Sequence, residues 1–386
     1  MDKDALRAWL RLSMTDGVGN EAARRLLACF GSPQTVFEQT HTALCQVVSP
    51  KQSQALLTEP NALAVQCVRT QHWLAHQPDD YSHALWALGD ALYPPELLHL
   101  SDPPLMLYVA GQTHATLGNA IAVVGSRNPT PQGTQTAAQF GEALSQSGLC
   151  VVSGLALGVD GAAHQGALRG QRLDAIGASH WQTVAVVGTG LDRVYPRQHQ
   201  TLAHDIALHG LLVSEYHLGT PPLAQNFPKR NRIIAALGLG TLVVEAAMKS
   251  GSLITAKMAL ELGREVLAIP GSIHATQSHG CHALIRQGAK LVENAQDVLE
   301  ELQLAPQQQV NLFSEALGDT SHCNNAANDD EDPLLTHMGY APVSLDALQA
   351  RCGLDTASLQ AQLLTLELDG AVGRLPGGLF QRLASN

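Results

Sequence analysis

Positive charge is scarce in this 386-residue chain: 23 lysines and arginines stand against 34 aspartates and glutamates, a formal net charge of −11. Whole-surface attraction to a polyanion is therefore not expected, and any anion site must be local. The seven cysteines contain no CxxC pair and their number is odd. That argues against a disulfide framework or a structural zinc site and suits a reducing cytoplasm. No apolar run approaches the roughly 20 residues of a membrane helix. The opening MDKDALRAWLRL has early acids and no long apolar stretch, so a secretory leader is not expected.

Chemical motifs are missing as well. There is no GxxxxGK[ST], and Gly188-x-Gly190 is followed by Arg193 where a dinucleotide fingerprint needs glycine. GSRNPT after an early apolar run does not fit that fingerprint either. NAD, ATP and other cofactors are not expected. Ser153 lacks a GxSxG context, Cys281 has no obvious base partner, and no triad is identifiable. The seventeen histidines are dispersed. Asp160 and His164, four apart in VDGAAH, could share a metal, but backbone contacts that hold the local loop are the expected role. Glu245 is expected to serve a nearby N–H or arginine. No catalytic residue and no metal ligand is assigned.

What is present is an apolar content of 45%, enough for a full core. Residues 1–82 read as helical: Leu6, Leu10, Leu12 and Ala22, Leu26, Leu27, Phe30 recur at helical spacing, with GVGN and FGSP as breaks. Residues 83–302 alternate short apolar runs with amphipathic stretches. AIAVVG (120–125), LCVVSG (149–154), TVAVVG (183–188), LLVSE (211–215), TLVVEA (241–246) and EVLAIPG (265–271) are expected strands. Helices follow, one capped by Thr130 with Pro131 at its first position, others near 160–168, 199–209 and 229–238. Continuous apolar strands, each followed by a helix, predict an α/β fold with a parallel, doubly wound Rossmann-like sheet. Residues 303–333, ending in DDED and proline, read as a flexible linker. Residues 334–386 offer three helical stretches and a hairpin around Pro376-Gly377-Gly378, the pattern of a winged helix. Its candidate recognition helix, 356–368, has no lysine or arginine, which disfavours a groove-reading role and with it a transcription regulator.

In such a sheet, ligands sit beyond the C-terminal strand ends. Those ends are Gly125-Ser126-Arg127-Asn128-Pro129, Ser153-Gly154-Leu155-Ala156, Gly188-Thr189-Gly190, Lys249-Ser250-Gly251-Ser252 and Pro270-Gly271-Ser272. Glycines let backbone approach a ligand, free N–H groups bind anions, and Arg127 supplies a planar fork for phosphate. The set points to a phosphate-rich ligand. Residues 227–232, FPKRNR, add Lys229, Arg230 and Arg232 at the start of an expected helix, the end where the dipole opposes positive charge. With Phe227 beside them they form an aromatic-plus-basic strip suited to single-stranded nucleic acid, where rings stack bases and cations hold phosphates.

AVVGSRNPT, SGLALGVDGAAHQGAL, GTGLDRVYPRQHQ, SEYHLGTPPLAQNFPKRNRIIAALG, VEAAMKSGSLITA, AIPGSI and GCHALIRQGA occur in that order. Together they resemble the DNA-processing protein DprA (Smf) family across about residues 83–300. The N-terminal region is similar to that family's sterile-alpha-motif-like or helix-hairpin-helix-like domain, and the C-terminal segment to its winged helix. The resemblance implies a cytoplasmic, non-enzymatic protein that binds and protects incoming single-stranded DNA in natural transformation. It also implies help in loading RecA recombinase and a homodimer formed through the Rossmann-like domain, with no membrane partner. The implied DNA site comprises Gly125, Ser126, Arg127, Ser153, Gly154, Phe227, Lys229, Arg230, Asn231, Arg232, Gly251 and Ser252. The alternative is a nucleotide phosphoribohydrolase of the Lonely Guy type, which the fold distantly resembles. Its PGGxGTxxE motif is not matched, since MKSGSLITA carries no glutamate until Glu261. On the sequence alone, Arg230→Ala with Arg232→Ala is expected to flatten the salt dependence of single-strand binding by roughly one to one and a half units, near 0.7 per phosphate contact.

Overall fold

The computed structural model describes residues 1–170, 180–304, 332–339, 342–375 and 378–383. Nearly all of the expected linker, and the Pro376-Gly377 tip of the expected hairpin, lie outside the described residues.

One nine-stranded sheet organises the molecule. In chain order its strands are β1 (Ser82–Ala87), β2 (Met106–Gly111), β3 (Ala120–Val124), β4 (Cys150–Ser153), β5 (Thr183–Val186), β6 (Leu211–Ser214), β7 (Gly240–Val243), β8 (Glu265–Ala268) and β9 (Lys290–Leu291). Across the sheet the order is β1-β2-β6-β5-β4-β3-β7-β8-β9. From β6 to β9 all pairings are parallel. The six strands expected from the sequence are all present, ending one to three residues earlier where Gly, Ser and acidic residues leave the ladder. The sequence analysis did not name β1, β2 and β9. β1 and β2 are antiparallel to each other, and β2 is antiparallel to β6. They extend the doubly wound sheet at one edge.

The chain fills one half of the parallel sheet in the order β3, β4, β5, β6 and then crosses β3 to build β7, β8 and β9. The reversal lies between β3 and β7, whose register pairs Ala122 with Thr241 and Val124 with Val243. Loops leaving those two strands diverge to opposite faces and open a crevice at the C-terminal edge.

Both sheet faces are covered, which explains the continuous apolar strands. Val124, Val152, Val186 and Val213 face a core shared with Ile233, Ile234, Ala256 and Cys281. Ile121, Val123, Val151 and Leu242 face the opposite core with Phe140, Leu144, Ala163 and Val298. Cys281 is fully buried, as a packed thiol should be, and burial pushes its pKa up to about 11.

Helices α1 (Lys3–Met14), α2 (Asn20–Phe30), α3 (Pro33–Phe37), α4 (His41–Leu44), α5 (Pro50–Leu57) and α6 (Leu63–Ala75) precede the sheet. Their apolar stripes bury Leu12, Ala23, Leu26, Val36, Leu44 and Leu56 together. Leu6, Leu10, Leu63 and Cys67 pack instead on Leu85, Met106 and Tyr108 of the antiparallel edge. Within the α/β region follow α7 (Pro131–Gln146), α8 (Val159–Arg169), α9 (Gln200–His209), α10 (Asn226–Leu237), α11 (Ser252–Glu261), α12 (His279–Arg286) and α13 (Ala295–Glu301). Thr130 caps α7 as expected, accepting from the Gly133 N–H at 2.9 Å.

Beyond them, α14 (Pro333–Met338), β10 (Val343–Ser344), α15 (Leu345–Cys352), α16 (Thr356–Leu368), β11 (Val372–Leu375) and β12 (Leu379–Arg382) form the small C-terminal unit. Its sheet has the order β10-β12-β11 over a core of Leu334, Leu348, Leu359, Leu363, Val372 and Phe380. This is the expected three helices and hairpin.

α8 is buried along most of its length because VDGAAHQGALR is rich in small residues. At Gly166 the backbones of α7 and α8 meet: a methyl there would overlap the Ala138 carbonyl. Gly166→Val should therefore force the two helices apart and cost about 1–3 kcal/mol of stability, measured by urea unfolding. An unchanged midpoint would contradict this packing.

Candidate functional site

A cavity of about 490 Å³ lies at the β3/β7 reversal. Gly125, Ser126, Arg127 and Asn128 leave β3 to form one wall. Lys249, Ser250, Gly251 and Ser252, between β7 and α11, form the opposite wall. The start of α11 thus opens into the cavity and adds its dipole there. Phe227, Arg230 and Asn231 of α10 line a third side, with Ala156 and Asp160 behind them.

The sequence forms these walls for definite reasons. The Ser126 N–H donates to the Glu245 carbonyl at 2.7 Å, tying the two diverging loops together. Ser126 Oγ accepts from the Asn128 N–H at 3.1 Å and tightens the turn that displays Arg127. Ser250 and Ser252 hydroxyls bond at 2.7 Å on the other wall. The Asn226 amide donates to the Gly188 carbonyl at 3.0 Å, and Tyr216 Oη donates to the Asn226 carbonyl at 3.1 Å. Those bonds pin the first turn of α10 against the end of β5. Pro228 fits in that turn because its missing N–H would have no helical partner there.

Arg127 and Lys249 are exposed, and neither joins an ion pair among the described residues. The Arg127 guanidinium sits 5.5 Å from the Phe227 ring centroid, within cation–π range. The cavity therefore combines two unneutralised cations, a helix start, hydroxyls and a half-buried ring.

The α/β region matches the model of DNA recombination-mediator protein A over residues 84–303, and residues 323–378 match the DprA winged helix domain. Protein Smf of Escherichia coli K12 is 41% identical over 313 residues, covering 79% of this chain and 78% of that protein. Protein Smf of Synechocystis is 32% identical over 409 residues, covering 97% of this chain and 98% of that one. The X-ray structure of DNA processing protein A from Streptococcus pneumoniae superposes with a TM-score of 0.63 at 33% identity, over 78% of this chain and 98% of that chain. The chain belongs to the DNA recombination-mediator protein A family.

Within this DprA-family chain, eight of the residues expected at the site line the cavity: Gly125, Ser126, Arg127, Phe227, Arg230, Asn231, Gly251 and Ser252. Ser153, Gly154, Lys229 and Arg232 do not. Ser153 is fully buried and donates to the Val123 carbonyl at 2.6 Å. Gly154 matters by its missing side chain, since a methyl would occupy the space of the Arg230 guanidinium. Lys229 is exposed but outside the cavity.

The basic cluster itself is not a continuous strip. Successive helix residues project about 100° apart, so Arg230 points away from the side of the helix that Lys229 and Arg232, three residues apart, share. Arg230, only 3% exposed, turns inward. It donates to the Val186 carbonyl at the end of β5 and lies 3.9 Å from the Asp160 carboxylate. Burial lowers its pKa to about 10, which still leaves it charged at neutral pH. Arg232 is buried between Glu215 and Asp102, the latter at 3.1 Å. The anions that neutralise these two arginines are thus the protein's own, from other segments of the chain.

Burial raises the Asp160 pKa, and Arg230 offsets this. Asp160 also accepts from the Ala156 N–H at 3.3 Å, the loop-holding role expected for it. Glu245 accepts from both the N–H and hydroxyl of Thr130, at 2.9 and 2.6 Å, which is likewise the structural role expected. His164 does not meet Asp160. Its Nδ1 faces Thr183 Oγ1 at 2.7 Å, and that hydroxyl donates to the Val151 carbonyl, so Nδ1 carries the imidazole proton. Among the described residues no group of three or more His, Cys, Asp or Glu could hold a metal. The sequence analysis quoted Lys249 but did not select it, and it missed the backing role of Asp160. Lys249 was legible in KSGS; the Asp160 contact was not.

Removing one partner from a buried pair leaves an uncompensated charge, typically at a cost of about 3–5 kcal/mol. Arg232→Ala should lose that much stability in denaturant titrations, whereas Lys229→Ala should stay within about 0.5 kcal/mol. Equal, small effects would contradict the paired geometry of Arg232. His164 gives a pH prediction. Burial, with the positive neighbours His199 and Arg230, lowers its pKa from 6.5 to about 3. Below pH 6.5 the unfolded chain takes up a proton that the folded one refuses, so stability falls as pH drops towards 3. The linked loss is about 1.4 kcal/mol per pH unit. His164→Gln should flatten the pH dependence of unfolding over that window. Identical dependence would place a charged His164 in the fold.

Proposed function

We propose that the cavity at the β3/β7 reversal binds single-stranded DNA without reading its sequence. The protein would then act as a recombination mediator: it protects incoming strands during natural transformation and helps load RecA recombinase as a homodimer through the Rossmann-like region. The observation that carries the reading is the pairing of Arg127 and Lys249, both exposed and without ionic partners among the described residues, across a cavity lined by Phe227. In a chain of net charge −11, two such cations on facing walls offer a local phosphate site. A half-buried ring beside them supplies the stacking that single strands, unlike duplexes, can use. Membership of the recombination-mediator family supports DNA as the polyanion.

The site works by division of labour. Gly125 lets its wall pack closely on Val159 and Gly251 leaves its wall open, Ser126 and Ser252 offer hydroxyls, and Asn231 adds an amide beside Phe227. Arg230 contributes from behind, by setting the cavity wall and its positive potential. Gly154 makes room for Arg230 and Ser153 ties β4 to β3 through the Val123 carbonyl, while Lys229 adds charge at the margin and Arg232 anchors α10.

Fluorescence-anisotropy titration of a labelled oligo-dT and its duplex equivalent, at two salt concentrations, tests this. The wild type should prefer the single strand and weaken with salt. Arg127→Ala with Lys249→Ala should flatten the log–log salt slope by roughly one to one and a half units, about 0.7 per contact. Phe227→Ala should weaken binding with little change in slope. No single-strand binding by the wild type, or an unaltered slope in the double variant, would refute the assignment.

A further inference from the structure

Tyr195, in the GTGLDRVYPRQHQ stretch, lies beside the cavity without lining it. It is 48% exposed, and its ring centroid lies 5.5 Å from that of Phe227 with a 43° tilt between the planes. We propose that Tyr195 and Phe227 form a bent, two-ring platform that stacks consecutive bases as a single strand leaves the cavity. This rests on the DNA reading above and extends it to a subsite outside the cavity.

The loop that carries Tyr195 is held at several points. Asp192 Oδ1 accepts from the Gly219 N–H at 2.7 Å, and the Gly190 N–H donates to the Thr220 carbonyl at 3.1 Å. Leu191 and Val194 pack inward against the core around Leu155, Val187 and Leu202. His199 Nδ1 meets the Leu155 carbonyl at 3.0 Å. With Val194 turned in, Tyr195 turns out. An exposed aromatic on a fixed loop stacks a partner at little conformational cost.

Phe227 touches both Arg127 and Tyr195, so cation, ring and ring are contiguous. The two rings are too close for a base to slip between them. Intercalation would need about 7 Å, twice the stacked spacing of about 3.4 Å. Bases must therefore lie on the outer faces, and the tilt between the rings bends the strand at that step. Arg197, two residues beyond Tyr195, is exposed and follows the same loop. The platform accepts any base because each has a π-face.

The test compares oligo-dT with an abasic backbone of the same length and charge. Tyr195→Ala should weaken oligo-dT binding roughly 5- to 100-fold, leave the abasic affinity unchanged and keep the salt slope. Tyr195→Phe should bind as the wild type does. Tyr195→Leu, which keeps apolar bulk without a π-face, should behave like Tyr195→Ala and reports even if the alanine variant folds poorly. Equal weakening for both ligands would reduce Tyr195 to a structural support, and unchanged oligo-dT binding would remove it from the path; either outcome overturns the platform. Failure of the wild type to bind oligo-dT at all would instead bring down the DNA reading.

Discussion

The buried Arg230 guanidinium is the constraint on which the site depends. It joins four segments: it belongs to α10, bonds the end of β5, faces Asp160 of α8 and fills the space left by Gly154 after β4. A charge this far from water is tolerable only with a partner and a carbonyl to receive its N–H groups. The geometry supplies both. Asp160 in turn holds the Ala156 N–H, so the loop after β4 is fixed by the same pair. Arg232, two residues on, anchors the opposite side of α10 to Glu215 and Asp102. The helix is clamped from two sides, and Phe227 at its start is presented at a fixed place on the rim.

That arrangement separates building from binding. The buried arginines set the shape, and the exposed Arg127 and Lys249 retain charge for a ligand. An acidic protein can thereby keep a positive hollow without a positive surface. The helix start at Ser252 reinforces the same field. Hydrogen bonds do the remaining work, since Ser126 and Thr130 are tied to Glu245 by N–H and hydroxyl bonds and the Asn128 N–H donates to Ser126 Oγ.

The sequence made the α/β region legible because each strand is a short apolar run closed by small residues, and parallel strands buried on both faces announce themselves that way. Thr130 with Pro131 marked a helix start that the structure reproduces. SHALWA and MLYVAG are harder to read because they form an antiparallel pair at one side of the sheet, joined through no more than a short 3-10 turn at Pro95–His99, so the strand–helix rhythm does not reach them. At the site, Arg127 and Phe227 were legible from their turn and their neighbours. The fates of Arg230 and Arg232 were not. A run of cations in sequence reads as one patch, but the helix turns Arg230 away from Lys229 and Arg232, and the acidic partners of the two buried arginines lie in other segments. Tyr195 was hidden for a similar reason: its nearness to Phe227 depends on the Asn226–Gly188 bond that joins the start of α10 to the loop after β5.

The most direct test of the whole account is photocrosslinking of 5-iododeoxyuridine-substituted single strands to the full chain, with adducts mapped by mass spectrometry. Aromatic side chains stacked on the substituted base should capture it, so adducts are expected at Phe227, with Arg127 and Lys249 peptides protected from modification in the same complex. Adducts confined to α16 of the winged helix, or to surfaces away from the β3/β7 reversal, would contradict the account.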